Sequence, residues 1–543
     1  MNINDTIYNA YFNAQKDNSE KVALYTRDGE TVSHGRLLEE IDKAAAWLHA
    51  HLCEGQCKIG VLSSSSYEEA VFLLAASKVG AISKFIDFTK NISEIGESIE
   101  ESSIDVLVIG AEFLPMEPYI NPSMLPVIVL GDIPSARPHY CAYSDILKMN
   151  AGSLCPPAPY REGACAVIIN SSGTTGTPKP IELSDRALNA AVEKMLKTDY
   201  PLVPENLILK IIPSFLGMGL ITTLYTCLVV GIPVIYFVAY GPKGSIDGVL
   251  STIITFPSFL QKHSLPASTK LLLFASPMFY RGIYQLIDQV SDLSFLGCML
   301  AGGSSMGKEE LEVLDAVFAS KGCTVPVMNG YGQNEMAGAV TLNQIGRNRR
   351  GSAGTAVDGT DLMVVDLQDF KPLPRNAVGK ILERSESLFI GYENMPERTE
   401  ASFITDENGD SWFDTNDVGY LDDDGFLFIT GRASRIIIRL DMKVSLDKME
   451  EKIRASKFVK EAGVISVKGD IYDTTVAFVT LKDEFCNAGI SPEQIIEDIQ
   501  QSRNPLSDRE ATNHFVIVDA LPYRSSGKID YRTLEALAAE SNR

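Results

Sequence analysis

Short apolar segments alternate with amphipathic ones along most of this chain, and that alternation restricts the fold more than any other feature. Residues 57–62 read as a strand, 67–79 as a helix and 81–88 as a strand; 93–101 is again helical and 105–109 again a strand. The pattern repeats as strand 270–274, helix 282–290, strand 297–300, helix 308–320 and strand 325–328. Strands apolar on both sides and separated by helices belong to parallel sheets covered on both faces, an α/β architecture. After about residue 360 the character shifts to hairpins, with Asp422-Asp-Asp-Gly425 a turn between 418–421 and 426–430. Beyond Arg435 a compact α+β pattern follows: helix 450–455, strands 464–467 and 474–481, helix 492–501 and strand 515–518. At 543 residues the chain exceeds one ordinary domain, and roughly three structural units are expected.

Charge and composition exclude several classes. A formal net charge of −22 argues against nucleic-acid backbone binding, which needs clustered Lys and Arg. The 45% hydrophobic and 22% charged content describes a globular protein. Nine cysteines, an odd number, read as reduced thiols in a cytoplasmic protein. The first residues have neither the basic start nor the apolar run of a signal peptide. Between Lys210 and Lys243 no residue is charged, a run long enough to cross a bilayer. Pro213, Gly217, Gly219, Gly231 and Pro233 interrupt it, so a buried helix leading into a buried strand at 234–238 is expected, not a membrane span. His49, His51, Cys53 and Cys57 have the composition of a zinc site, but they straddle a helix end and a strand start and need not converge.

The chemistry is concentrated in a few loops. Segment 168–181, IINSSGTTGTPKPI, begins as an apolar strand and breaks into Ser171, Ser172, Gly173, Thr174, Thr175, Gly176 and Thr177, with one cation at Lys179. Glycine permits close approach, and amides and hydroxyls turned outward attract a polyanion such as a phosphate chain. The loop lacks the Gly-Lys-Ser/Thr ending of a Walker A motif. Asn329-Gly-Tyr-Gly-Gln-Asn-Glu335 offers an aromatic plate at Tyr331 between Gly330 and Gly332, and a carboxylate at Glu335 fit for Mg²⁺. Ala301-Gly-Gly-Ser-Ser305 ends a strand, where open α/β sheets bind ligands. Asp417 is a candidate acceptor for ribose hydroxyls, Gly431-Arg432 a candidate cation near a phosphate or ribose, and Gly527-Lys528 a lysine on a glycine-containing loop.

In order and spacing these segments resemble the adenylate-forming superfamily: acyl- and aryl-CoA synthetases, firefly luciferase and the adenylation domains of peptide synthetases. The resemblance runs roughly from Tyr25 to Leu537. It implies an N-terminal domain, 1–431, of two parallel α/β sheets with a small β-barrel at about 345–431, a hinge at 432–436 containing Ser434, and a small mobile α+β domain at 437–543. It implies ATP as substrate, with Ser171 to Lys179 on the β- and γ-phosphates and Mg²⁺ shared by Thr174 and Glu335. Gly303, Ser304, Asn329, Gly330, Tyr331 and Gly332 would form the nucleotide pocket, Tyr331 stacking on adenine. Asp417 would bind the ribose, assisted by Arg432. Asn334, Glu335 and Lys528 would be catalytic, Lys528 bridging carboxylate and α-phosphate. The implied reaction joins a hydrophobic carboxylic acid, through its acyl-adenylate, to coenzyme A or to a phosphopantetheinyl carrier protein.

The chain departs from the family pattern at several points. Proline stands at 180, asparagine at 334 and asparagine at 416, where the family usually has glycine, threonine and glycine. At the hinge and beyond it, Ser434, Ile438 and Asp441 replace an acid or lysine, a lysine and a glycine. Asp441 lies where relatives pass the pantetheine thiol, which favours adenylation over thioester formation and gives a stand-alone adenylating enzyme some weight. Phe215, Leu216, Met218, Leu220 and Gly302 are expected to line the acyl pocket. No aspartate is available in 213–220 for an α-amino group, so an amino acid substrate, whose buried ammonium would lack a partner, is disfavoured. A homologue that binds nucleotide without turnover is opposed by Lys528, Glu335, Asp417 and Lys179.

Overall fold

A computed structural model describes residues 2–541 apart from 53–56, 65, 122–124, 134–138, 150–154, 172–178, 238–240, 305, 433–434, 440–441, 468–473, 487, 503–505, 507–513 and 524–528. The chain divides into two compact units. The first comprises Met1–Gly173, Thr177–Asp361 and Arg384–Phe403, and the second includes Leu362–Glu383 and Ile404–Arg543.

Two mixed sheets with parallel centres build the first unit. In the nine-stranded sheet, Val327–Gln333, Leu296–Ala301, Leu271–Ala275, Leu207–Leu209, Val234–Ile235 and Val22–Tyr25 lie side by side and parallel. Antiparallel strands finish both edges, Thr31–Ser33 on one and Gly338–Leu342 with Thr355–Ala356 on the other. The eight-stranded sheet has Cys165–Asn170, Ile82–Phe85, Lys58–Leu62, Val106–Gly110, Val127–Leu130 and Tyr140–Ala142 parallel in that order. Pro180–Ser184 and Gly391–Tyr392 extend it in antiparallel sense. Central strands such as Leu271–Ala275 and Val106–Gly110 are buried at every residue, as strands covered on both faces must be. The α/β alternation read from the sequence is the architecture observed.

Differences concern boundaries. The helix expected at 282–290 is Pro277–Gln285 followed by a 3₁₀ turn at Ile287–Gln289, because Ser276 and Pro277 start it a turn early. The strand expected at 325–328 continues to Gln333 and turns back into Gly338–Leu342, so the Tyr331 motif is part of a hairpin rather than a loop after a strand. The charge-free run forms a π-helix at Met218–Tyr225 and an α-helix at Thr226–Val230, closed by Gly231 at φ +86°. Among the described residues no helix is long and apolar enough to cross a membrane. His51 stacks on Trp47, ring centroids 4.0 Å apart, and is hydrogen-bonded to the Trp47 carbonyl at 2.7 Å; Cys53 lies outside the described residues.

In the second unit, Ser411–Leu421 and Leu427–Arg432 form the expected hairpin inside a five-stranded sheet. Farther along, Val459–Val467, Thr474–Leu481 and His514–Ile517 make a three-stranded sheet. Alternate residues divide its faces: Val464, Ala477 and Val479 pack with helices Leu446–Arg454 and Pro492–Gln500, whereas Ile465, Val476 and Phe478 pack with Leu534 of helix Tyr531–Ser541.

Candidate active site

Two hairpins of the first unit carry the Ser171–Lys179 and Asn329–Glu335 motifs. The neck of the first is closed by Ser171, whose N–H donates to the Lys179 carbonyl at 2.8 Å while the Lys179 N–H donates to Ser171 Oγ at 2.9 Å. Ser172, Gly173, Thr174, Thr175, Gly176 and Thr177 lie beyond this neck, outside the described residues. Proline is tolerated at 180 because it is the first residue of an antiparallel strand.

Glycines of the second hairpin answer to crowding, by backbone at Gly332 and by side chains at Gly330. A Cβ on Gly332 would fall 1.8 Å from the Gly338 carbonyl oxygen, and one on Gly330 would fall 2.6 Å from Leu342 Cδ2. Tyr331 is half-buried, its hydroxyl accepting from Gln333 Nε2 at 3.2 Å. Asn329 is buried and donates to the Met306 carbonyl at 2.9 Å, which ties this strand to the chain after Gly302, Gly303 and Ser304. Gly303 sits at φ +84°, a conformation that favours glycine.

Asn334 joins the two hairpins. Its side-chain amide donates to the Asn170 carbonyl at 2.5 Å, and its Oδ1 accepts the Gly217 N–H at 3.0 Å. The side chain expected to be catalytic thus also locks the base of the 171–179 loop to the 213–220 segment. In that segment Phe215 and Leu220 are buried, while Leu216 and Met218 are partly buried against the core of the nine-stranded sheet. Met218 Sδ would be 3.3 Å from a Cβ on Gly302, so those two acyl-pocket candidates are neighbours.

Glu335 is buried and accepts a hydrogen bond from the Tyr392 hydroxyl at 3.1 Å. The Lys179 ammonium lies 4.4 Å from the centroid of the same Tyr392 ring. Burial, with Arg398 adding to it, holds the Lys179 ammonium below its usual pKa, and Glu335 pulls the other way. Burial and Glu335 both push the Tyr392 hydroxyl up, so it remains a donor at neutral pH. The next residue, Glu393, is gripped by Lys58 at 2.6 Å, Lys84 at 3.3 Å and the Ser102 hydroxyl at 2.8 Å. Burial alone would raise its carboxyl; the two lysines and Ser102 hold it below the usual range. No local pattern announces Tyr392 or Glu393, because only strand pairing brings them to the site.

Asp417 and Arg432 belong to the second unit. They are direct cross-strand partners, Arg432 Nε 3.0 Å from Asp417 Oδ1, and Asp417 is buried. Asn416, where the family has glycine, adopts φ +57°, which asparagine tolerates better than most residues. Gly431 sits at φ +147°, a conformation that favours glycine, and a Cβ there would lie 2.8 Å from both Asp447 Oδ2 and Ser445 Oγ. Ser434, Asp441 and Lys528 lie outside the described residues.

The family profile described as AMP-binding enzyme matches residues 11–393, from the first helix through Glu393. This chain belongs to the AMP-binding enzyme family. The chain is thereby a member of the adenylate-forming superfamily. It is 26% identical over 522 residues to 4-coumarate–CoA ligase 5 of Oryza sativa subsp. japonica, covering 94% of this chain and 90% of that one. Its fold matches ATP-bound MatB from Rhodopseudomonas palustris with a TM-score of 0.83 at 21% identity, covering 100% of both chains. The anthranilate CoA ligase AuaEII, in complex with anthranoyl-AMP, matches equally well, with a TM-score of 0.83, 21% identity, and 100% and 99% covered. This AMP-binding enzyme thus shares the fold of both solved structures.

Proposed function

We propose that this enzyme is an ATP-dependent, AMP-forming ligase that activates a hydrophobic carboxylic acid, fatty or aromatic, and transfers it to coenzyme A. The observation that carries the reading is the meeting of Lys179 and Glu335 on one tyrosine: a cation for phosphate and a hard oxygen donor for a divalent cation, brought together from distant hairpins. The 4-coumarate and anthranilate ligases among its relatives support an aryl acid.

In this reading Lys179 and the Ser171-to-Thr177 loop bind the β- and γ-phosphates, and Tyr331 stacks on adenine. Asp417, oriented by Arg432, accepts the ribose hydroxyls. Glu335 is a buried carboxylate of the kind that suits Mg²⁺, and Glu335 and Thr174 would hold that ion. Bound there, Mg²⁺ would neutralise charge on the triphosphate. Lys528 stabilises the charge that builds up as the carboxylate attacks the α-phosphate.

The test is acid-dependent pyrophosphate release over a panel of fatty and aromatic acids, with Lys528→Ala as control. Release with at least one acid, lowered about 10²–10³-fold in the variant with ATP binding intact, is expected; no release with any acid overturns the reading. Coenzyme A and a holo carrier protein, supplied separately, then identify the acceptor, and thioester formed only on the carrier would move the assignment to the stand-alone adenylating enzyme that Asp441 favours.

A further inference from the structure

One aromatic side chain reaches both Glu335 and Lys179, two of the charged groups in the proposed nucleotide site. The Tyr392 hydroxyl donates to Glu335 Oε1 at 3.1 Å, and its ring face lies under the Lys179 ammonium at 4.4 Å. Tyr392 is 6% exposed, so neither contact is a loose surface encounter. Its backbone is held from three sides. The strand Gly391–Tyr392 pairs with Glu182 and Ile181, immediately after the phosphate loop. The Tyr392 N–H donates to Thr399 Oγ1 at 2.9 Å, and the clamped carboxylate of Glu393 follows directly. From the Glu335 side, the Phe389 N–H donates to the Glu335 carbonyl at 2.8 Å, fixing the carboxylate's own backbone to the same segment. Phenylalanine would fill this space; the hydroxyl is there to meet the Glu335 carboxylate, with the Ser402 side chain as a second hydrogen-bond partner.

We propose that Tyr392 is a positioning residue for metal–nucleotide binding: its hydroxyl aims the Glu335 carboxylate, and its ring sets the place of the Lys179 ammonium. A rigid side chain with two torsions then fixes the spacing between the group that takes the cation and the group that takes phosphate. The proposal rests on the adenylation reading above and adds a residue to it. Outer partners of a metal-binding carboxylate typically change metal affinity about 10–100-fold when lost. An ammonium over a partly desolvated ring contributes a smaller effect, about threefold to tenfold.

The experiment is equilibrium binding of ATP to the full chain by calorimetry across a Mg²⁺ series, without acid, beside kcat and KM for pyrophosphate release. Tyr392→Phe keeps the ring and loses the hydroxyl. It is expected to need about tenfold more Mg²⁺ for half-maximal ATP binding, with affinity at saturating Mg²⁺ within about twofold and the loss in turnover falling on kcat. Tyr392→Leu loses the ring as well, and its ATP affinity at saturating Mg²⁺ is expected to drop about a further threefold or more. Adding Glu335→Gln to Tyr392→Phe is expected to shift the Mg²⁺ requirement no further than Glu335→Gln alone, since the hydroxyl acts through that carboxylate. An unchanged Mg²⁺ requirement in Tyr392→Phe, or full additivity in the double variant, overturns the proposal. A wild-type chain that releases no pyrophosphate yet shows these shifts removes the adenylation reading and leaves the role of Tyr392 standing.

Discussion

Arg432 faces Asp417 directly across the hairpin Ser411–Leu421/Leu427–Arg432, its Nε 3.0 Å from the buried Oδ1. The pair orients a carboxylate whose two oxygens suit vicinal hydroxyls. Removing the guanidinium loosens that carboxylate but leaves it anchored through its backbone, whose N–H donates to Thr415 Oγ1 at 3.1 Å. Arg432→Ala is therefore expected to lower stability by about 1 kcal/mol, the scale of one hydrogen bond to a charged, partly exposed partner. Its KM for ATP should rise about tenfold, with kcat little changed. Urea unfolding and initial-rate kinetics measure the two effects; an unaltered KM would show that the carboxylate is not a ribose ligand oriented by Arg432.

Asn334 holds two backbone groups from segments proposed to serve different substrates, the Asn170 carbonyl before the proposed phosphate loop and the Gly217 N–H in the proposed acyl segment. Asn334→Ala should cost about 1–3 kcal/mol of stability through the unsatisfied groups. Because Gly217 loses its partner, KM for the acid should rise more than KM for ATP. Asn334→Thr, the residue common in the family, is too short to reach both and should recover only part of the loss. Comparison of the two KM values in both variants decides; equal rises would mean that the Gly217 contact does not shape the acid site.

Gly332 is needed for its backbone neighbour, not only for a ligand. Gly332→Ala would place a methyl group 1.8 Å from the Gly338 carbonyl oxygen. About 3 kcal/mol or more of destabilisation is expected, visible as a lower melting temperature in protein without nucleotide. Gly303→Ala meets no atom within 4 Å but keeps the unfavourable φ of +84°, so its loss should be nearer 1 kcal/mol.

Asp185 is buried, and burial pushes its carboxyl from the ordinary 3.8 up to about 6 even though it accepts the Ile7 N–H at 2.9 Å. A folded-state pKa above the unfolded one favours the fold at low pH. That contribution is complete below pH 3.8 and is lost as pH rises through about 6. The loss is at most about 3 kcal/mol. Asp185→Asn keeps an oxygen acceptor for Ile7 and has no charge to bury, so its gain over wild type should grow from pH 4 to pH 7.5 in urea titrations and level off above about 7. A stability difference independent of pH would mean the carboxyl titrates normally.

Legibility followed sequence separation. Helix 308–320 and strand 474–481 were readable to the residue, because apolar periodicity and flanking turn residues are local. The strand through Tyr331 was not, because its glycines look like a loop until the partner strand is known; Gly332 is small because Gly338 crosses it. Asn416 looked like a departure from glycine, and its φ of +57° shows that the conformation was kept while the residue changed.

By itself the sequence determined the alternating α/β architecture, the anion-seeking composition of the loop from Ser171 to Lys179, and the identity of Glu335, Asp417 and Arg432 as site candidates. The first two follow from periodicity and side-chain chemistry, which act over a few residues; the site candidates follow from the order and spacing of motifs that resemble a family. Tertiary structure alone decided that Tyr392 would lie between Lys179 and Glu335, that Asn334 would tie Asn170 to Gly217, and that Glu393 would be gripped by Lys58 and Lys84. Those contacts depend on the order of strands across a sheet, which is settled by the burial of the whole core and leaves no trace in any short stretch of chain.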